Sequence, residues 1–150
     1  MSSEDPEPKP RRLTDLAEVL QRQVHPSQLD PVKVVSKAAF KPDPTGMLST
    51  LRQRVSPAEA FRRHVEESHL DSVGTWGVSV AEAEAQSAPA WDDEFCDGLP
   101  ADHASVDFTQ HPTGNQKLRA ASRLRDAAVG RGCLYTPGSD STAAVAEVGN

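Results

Sequence analysis

Apolar residues recur along this chain in two rhythms. Trp76, Val78 and Val80 alternate across 73–80, with Gly74 and Gly77 leaving little bulk between them, which predicts a strand with one face on a core. Ala104, Val106 and Phe108 repeat that two-residue period. The apolar run 32–40 predicts a further strand, 23–25 a brief one stopped by Pro26, and 133–135 a last one before Pro137. The second rhythm is helical. Leu13, Leu16, Ala17 and Leu20 predict a short helix leading into the domain. Ala60, Phe61, His64 and Val65 share one face of a helix over 57–68, introduced by Ser56 as cap, Pro57 at the first helical position and Glu59 to complete a capping box. Residues 81–86 suit one or two helical turns, and Leu118, Ala121, Leu124 and Ala128 make the buried stripe of a helix from about 116 to 129, with Asn115 as its cap. The order of elements predicts an α+β fold: a small mixed or antiparallel sheet of about five short strands, with two main helices packed on one face.

Turn chemistry and composition place the boundaries. Residues 1–12 hold few apolar side chains and are expected to be disordered, as is the Gly/Ser/Ala-rich tail 138–150. A single domain is expected over 13–137, interrupted by an acidic loop at 87–102 that Trp91 and Phe95 pin to the core. At 150 residues, with 37% hydrophobic and 5% aromatic side chains and 12 prolines, the chain is lean but able to build one core. No apolar run approaches the roughly 20 residues that span a bilayer, and the first residues lack the apolar stretch of a secretory signal. With two cysteines, Cys96 and Cys133, no disulfide framework is expected. The expectation is a soluble cytoplasmic protein without a membrane partner.

The net charge of −6 tells against a general polyanion binder, but the distribution is more informative. Residues 33–63 carry seven basic side chains against Asp43 and Glu59; 81–102 carry seven acidic ones and no basic one; 103–135 carry five basic ones against Asp107 and Asp126. An acidic block between two basic ones suits either a solvated loop or a segment that folds over a basic face and competes there with an anionic partner.

Several segments together resemble an uncharacterised family of small bacterial proteins. They are Arg22-Gln23-Val24-His25-Pro26, Ser36-Lys37-Ala38-Ala39-Phe40-Lys41-Pro42, Leu48-Ser49, the helix through His64, the stretch from Val73 to Glu82, His103-Ala104-Ser105-Val106-Asp107-Phe108, and Arg131-Gly132-Cys133-Leu134-Tyr135-Thr136-Pro137. The resemblance spans about 22–137 and implies a folded domain; it brings no known activity with it.

The chemistry-bearing residues exclude more than they assign. His64 and His69 are five apart, which misplaces them for one helical face, and no paired C-x-x-C is present, so no metal site and no cofactor are expected. His64, on an apolar stripe, reads as a core histidine. Cys133 reads as a small buried hydrophobe, and Cys96 sits among acids that disfavour its thiolate. His103 and Asp107, four apart on a strand, share a face as either an acid–base pair or a polar strand edge. The leading expectation is a non-enzymatic interaction or accessory protein whose partner is another protein, met through the basic surface and the acidic loop. One alternative is an ADP-ribosyltransferase-like enzyme, with Arg22 or His25 and Ser36 holding a dinucleotide and Glu82 and Glu84 orienting the acceptor. The other is a weak nucleic-acid binder using Arg119, Arg123, Arg125 and Arg131 of the 116–131 helix, against which the net charge and the few aromatics stand. The catalytic candidates are thus His25, Ser36, Glu84, His103 and Asp107.

Overall fold

A computed structural model of the chain describes residues 7–137. These residues form a six-stranded antiparallel sheet: β1 Arg11–Arg12, β2 Val19–Val24, β3 Met47–Leu51, β4 Gly74–Ser79, β5 Ala90–Asp92 and β6 His103–Asp107, in the order β1-β5-β6-β3-β2-β4. The α+β class is as expected, with one strand more than the apolar pattern suggested. Three helices accompany the sheet: α1 Pro57–Arg62, continued by a π-helical turn over Arg63–Glu67; α2 Val80–Ala85; and α3 Gly114–Arg131.

The caps explain where the helices begin. Ser56 accepts the Glu59 amide at 3.1 Å, and the Glu59 carboxylate, instead of returning to Ser56, holds Arg62 and Arg63. Ser79 and Glu82 form a full capping box at α2, and Thr113 with Gln116 forms another at α3, two residues before the cap expected at Asn115.

Leu20, Val24, Val78, Val106, Leu48, Phe40 and Phe108 pack into one cluster, closed by Ala120, Ala121, Leu124 and Ala128 of α3. Alternation places Gln21, Gln23 and Thr75 on the other side of the sheet, where Thr75 Oγ1 donates to the Pro57 carbonyl and so seats α1.

Several elements differ from the sequence pattern. The stretch 13–20 is not a helix: Leu16 is exposed and the chain enters β2 at Val19. Residues 32–40 do not form a strand. Asp30 Oδ1 accepts the amides of Val32 and Val34, both valines are exposed, and the chain then makes a 3-10 turn over Lys37–Phe40 that buries Ala39 and Phe40. β3 has no counterpart among the expected strands. The final segment contributes a single bridge, Thr75 to Tyr135, and leaves Cys133 exposed. The acidic stretch 87–102 is not structureless: it contains β5 and a 3-10 turn at Cys96–Gly98. Arg11 and Arg12, counted with the disordered head, pair with Asp92 and Trp91. Residues 1–6 and the tail from 138 lie outside the described residues.

One feature of the pairing positions everything that follows. β2 and β4 are matched over six residue pairs and β3 and β6 over five, yet β2 and β3 meet at Gln21 and Leu51 alone. The sheet is therefore two half-sheets joined by a single residue pairing, with side-chain bonds across the rest of the junction.

Candidate functional site

A cleft of about 570 Å³ opens at the junction of β2 and β3, and its lining includes Arg22, His25, Ser49, His64, Leu99 and His103. An ion-pair cluster ties the ends of β2 and β3 together beside their one pairing. Arg52, just past β3, makes a two-pronged contact to Glu18, just before β2, at 2.8 Å from both Nε and Nη2, while its Nη1 reaches Asp92 at 3.0 Å. Gln21 Nε2 donates to the carbonyls of Arg52 and Val55, and its Oε1 is buried without a partner.

Arg22 lies in the gap between the half-sheets. Its Nε donates to the Ala39 carbonyl at 2.8 Å and its Nη1 to the Ser49 carbonyl at 3.1 Å. Among the described residues no carboxylate contacts it. Burial pushes its pKa below the ordinary guanidinium range, with Asp43 acting in the opposite direction. Ser36 enters indirectly: its hydroxyl caps the turn that presents the Ala39 carbonyl, accepting from the Ala38 amide.

Two histidines flank the guanidinium. His25 caps the turn Pro26–Gln28, its Nδ1 accepting from the Ser27 amide, and its Nε2 stands 3.9 Å from Asp71. His64, on the π-helical turn, is half-buried. Burial first, then the nearby Arg22 and His25, lower its pKa from 6.5, against a hydrogen bond with the Asp71 backbone, so it is neutral at neutral pH. It is a wall of the cleft where a core histidine was expected.

The acidic stretch forms the opposite rim. Asp102 receives Arg54 Nε at 2.6 Å and Arg63 Nη1 at 3.0 Å, and Glu94 receives Arg54 Nη2 at 2.9 Å. The acidic block thus lies on part of the basic block of 33–63, matching Arg52, Arg54 and Arg63. Phe95, Asp97 and Asp102 all hold left-handed backbone, with φ of 66°, 49° and 67°. At the neck of this segment Asp93 is drawn inside: His103 Nδ1 lies 2.7 Å from Oδ1, and Ser105 Oγ donates to Oδ2. Burial acts to raise the Asp93 pKa, but the bonds from His103 and Ser105 outweigh it and hold the carboxyl below its usual range.

His103 accordingly pairs with Asp93 and not with Asp107, whose Oδ1 accepts the amide and hydroxyl of Thr109. Asp93 was missed because it reads as one acid in an acidic loop. The signal that finds it is β5, whose register sets Asp92 opposite Ala104 and so brings the next residue beside His103.

Of the ADP-ribosyltransferase-like set, the cleft takes Arg22 and His25 and leaves out Ser36, Glu82 and Glu84. Glu82 serves the α2 capping box and Arg131, and Glu84 pairs with Arg12 at 3.3 Å. On α3, Arg123 reaches Gln86, Arg125 holds Asp126 and the Val35 carbonyl, and Arg131 holds Glu82 and the Gly77 carbonyl, while Arg119 is exposed. No group of three or more His, Cys, Asp or Glu among the described residues is placed to hold a metal, and no helix among them is long and apolar enough to cross a membrane.

The cleft gathers Arg22, His25, Ser49, His64 and His103 from segments far apart in the chain. No family model, no curated protein and no solved structure matches the chain.

Proposed function

We propose that this protein binds a small anionic molecule in the cleft between its half-sheets. The observation that carries the reading is Arg22, a desolvated guanidinium on the cleft wall whose partners are two carbonyl oxygens. A cation removed from water without a counter-charge is costly, and an anion entering the cleft relieves that cost while taking the guanidinium's remaining N–H groups. His25, whose Nδ1 accepts the Ser27 amide and so leaves the proton on Nε2, stands near it as a further donor. The size of the cleft, about 570 Å³, suits a ligand of small-metabolite or nucleotide size.

Recognition of another protein through the basic surface draws less support. Arg52, Arg54 and Arg63 are already matched by Glu18, Asp92, Glu94 and Asp102 of the same chain.

The test is calorimetric titration of the protein with inorganic phosphate and with adenosine monophosphate at two salt concentrations. Salt-weakened binding, lost in Arg22→Gln and partly kept in Arg22→Lys, supports the reading. Absence of binding, or equal binding by the wild type and a folded Arg22→Gln variant, overturns it.

A further inference from the structure

Anion binding by Arg22 does not account for His103, which stands at the head of β6 opposite Leu51 of β3. Its side chain is buried but reaches the cleft. Asp93, as an ionised carboxylate, only accepts hydrogen bonds, so the His103 nitrogen it faces, Nδ1, carries the ring proton. In the neutral ring that leaves Nε2 as a bare lone pair, and no described residue bonds it. Here one nitrogen is fixed by a buried carboxylate, itself steadied by Ser105, and the other is left for whatever occupies the cleft.

The register sets the spacing. Arg22 is bonded to the Ser49 carbonyl, and Ser49 faces Ser105, while His103 lies two residues further along β6. Two strand residues and one inter-strand step put the Cα of Ser49, whose carbonyl holds Arg22, roughly 8 Å from that of His103. The base therefore acts on a centre a few bonds removed from the anchored anion. One histidine can both remove and return a proton at an acyl carbon, because nucleophile and leaving group occupy one tetrahedral centre. In-line displacement at phosphorus sets them on opposite sides and calls for a second group.

We propose that His103, oriented by Asp93, is the general base of an esterase site whose substrate is an acyl ester bearing a separate anionic group held by Arg22. The proposal rests on the anion-binding reading. In the step, Nε2 takes a proton from a water whose oxygen bonds to the ester carbonyl carbon. The tetrahedral intermediate then expels the alkoxide as the C–O bond breaks, and the imidazolium returns the proton to it. Ester and water become acid and alcohol, with no other reactant.

The experiment follows p-nitrophenol release from the mono-p-nitrophenyl ester of terephthalate, which is anionic and whose carboxylate cannot reach its own ester carbon, and from neutral p-nitrophenyl benzoate. The anionic ester is expected to show the higher kcat/KM. His103→Gln should lower kcat by about 10²-fold or more and flatten the pH profile of kcat/KM. Asp93→Asn, which keeps the base but loses its orientation, should lower kcat and shift that profile. Arg22→Gln should raise KM for the anionic ester by more than for the neutral one, and Arg22→Lys should keep part of that preference. Equal rates for wild type and a folded His103→Gln variant overturn the proposal even where phosphate binds. Phosphate binding absent alongside His103-dependent hydrolysis of both esters overturns the anion site and leaves the base standing.

Discussion

Replacing Arg52 with Met is expected to loosen the junction at which the half-sheets meet. Arg52 makes a two-pronged contact to Glu18 and a third bond to Asp92, and Glu18 is only 8% exposed. Removing one partner of a buried ion pair costs about 3–5 kcal/mol. Arg52 keeps some contact with solvent and Glu18 retains the Gln53 amide, so about 2–3 kcal/mol is expected here. For a domain of this size that lowers Tm by roughly 6–12 °C. The pH dependence makes the test specific. The Arg52 hydrogen bond, outweighing burial, holds the Glu18 pKa below 4.5. That contribution is complete above the unfolded value and is lost as pH falls through the folded one. In Arg52→Met, burial is opposed only by the Gln53 amide and Arg54, so the Glu18 pKa rises from its wild-type position and the variant's penalty is relieved on acidification. The gap between wild type and variant should be widest at neutral pH and narrow below about pH 5. Urea unfolding of wild type, Glu18→Gln, Arg52→Met and the double variant gives the coupling between the two side chains, expected at about 1.5 kcal/mol or more at pH 7. A coupling under about 0.5 kcal/mol, or a gap that stays constant from pH 7 to pH 4, refutes the reasoning.

Two further outcomes are accessible to the same measurements. Asp102→Asn keeps a residue type that tolerates the left-handed backbone while removing the charge that holds Arg54 and Arg63. The Asp102 pKa is held down by those arginines against burial, so its contribution is present above the unfolded value of 3.8 and fades as pH falls through the folded one. A loss of about 1 kcal/mol at pH 7 and low salt, shrinking at high salt, is expected; a salt-independent loss counts against the ion-pair account. Gly77→Ala drives a Cβ into Val19 Cγ1 and to within 2.9 Å of Leu134 Cδ1, so urea unfolding should show a loss of about 1–3 kcal/mol, and an unchanged midpoint contradicts the packing described.

The elements legible in the sequence are those whose local pattern and tertiary burial agree. β4 and β6 alternate cleanly because one face of each is core, and α1 and α3 announce themselves through caps and apolar stripes. β2 hid itself: Gln21, Arg22 and Gln23 are polar at its centre because they serve the junction and the cleft. β3 hid for a related reason, with Leu48 and Thr50 as its buried positions and Ser49 turned outward. The run 32–40 misled in the other direction, since its valines are apolar without being buried. At the site, Arg22, His25 and His103 were visible as residue types. The pairing of His103 with Asp93 depends on a strand register that no local pattern announces.

The single pairing between the half-sheets also bears on how the chain assembles. β2 pairs with a strand that lies beyond β3 and α1 in the chain, and β3 with one that lies beyond β5. Although β5 and β6 pair as neighbours, each half also needs strands far apart in sequence, so the topology belongs with the slower-folding, non-local architectures. Each half carries one of the chain's two tryptophans, Trp76 on β4 and Trp91 on β5, so intrinsic fluorescence reads the closing of the two halves from separate positions.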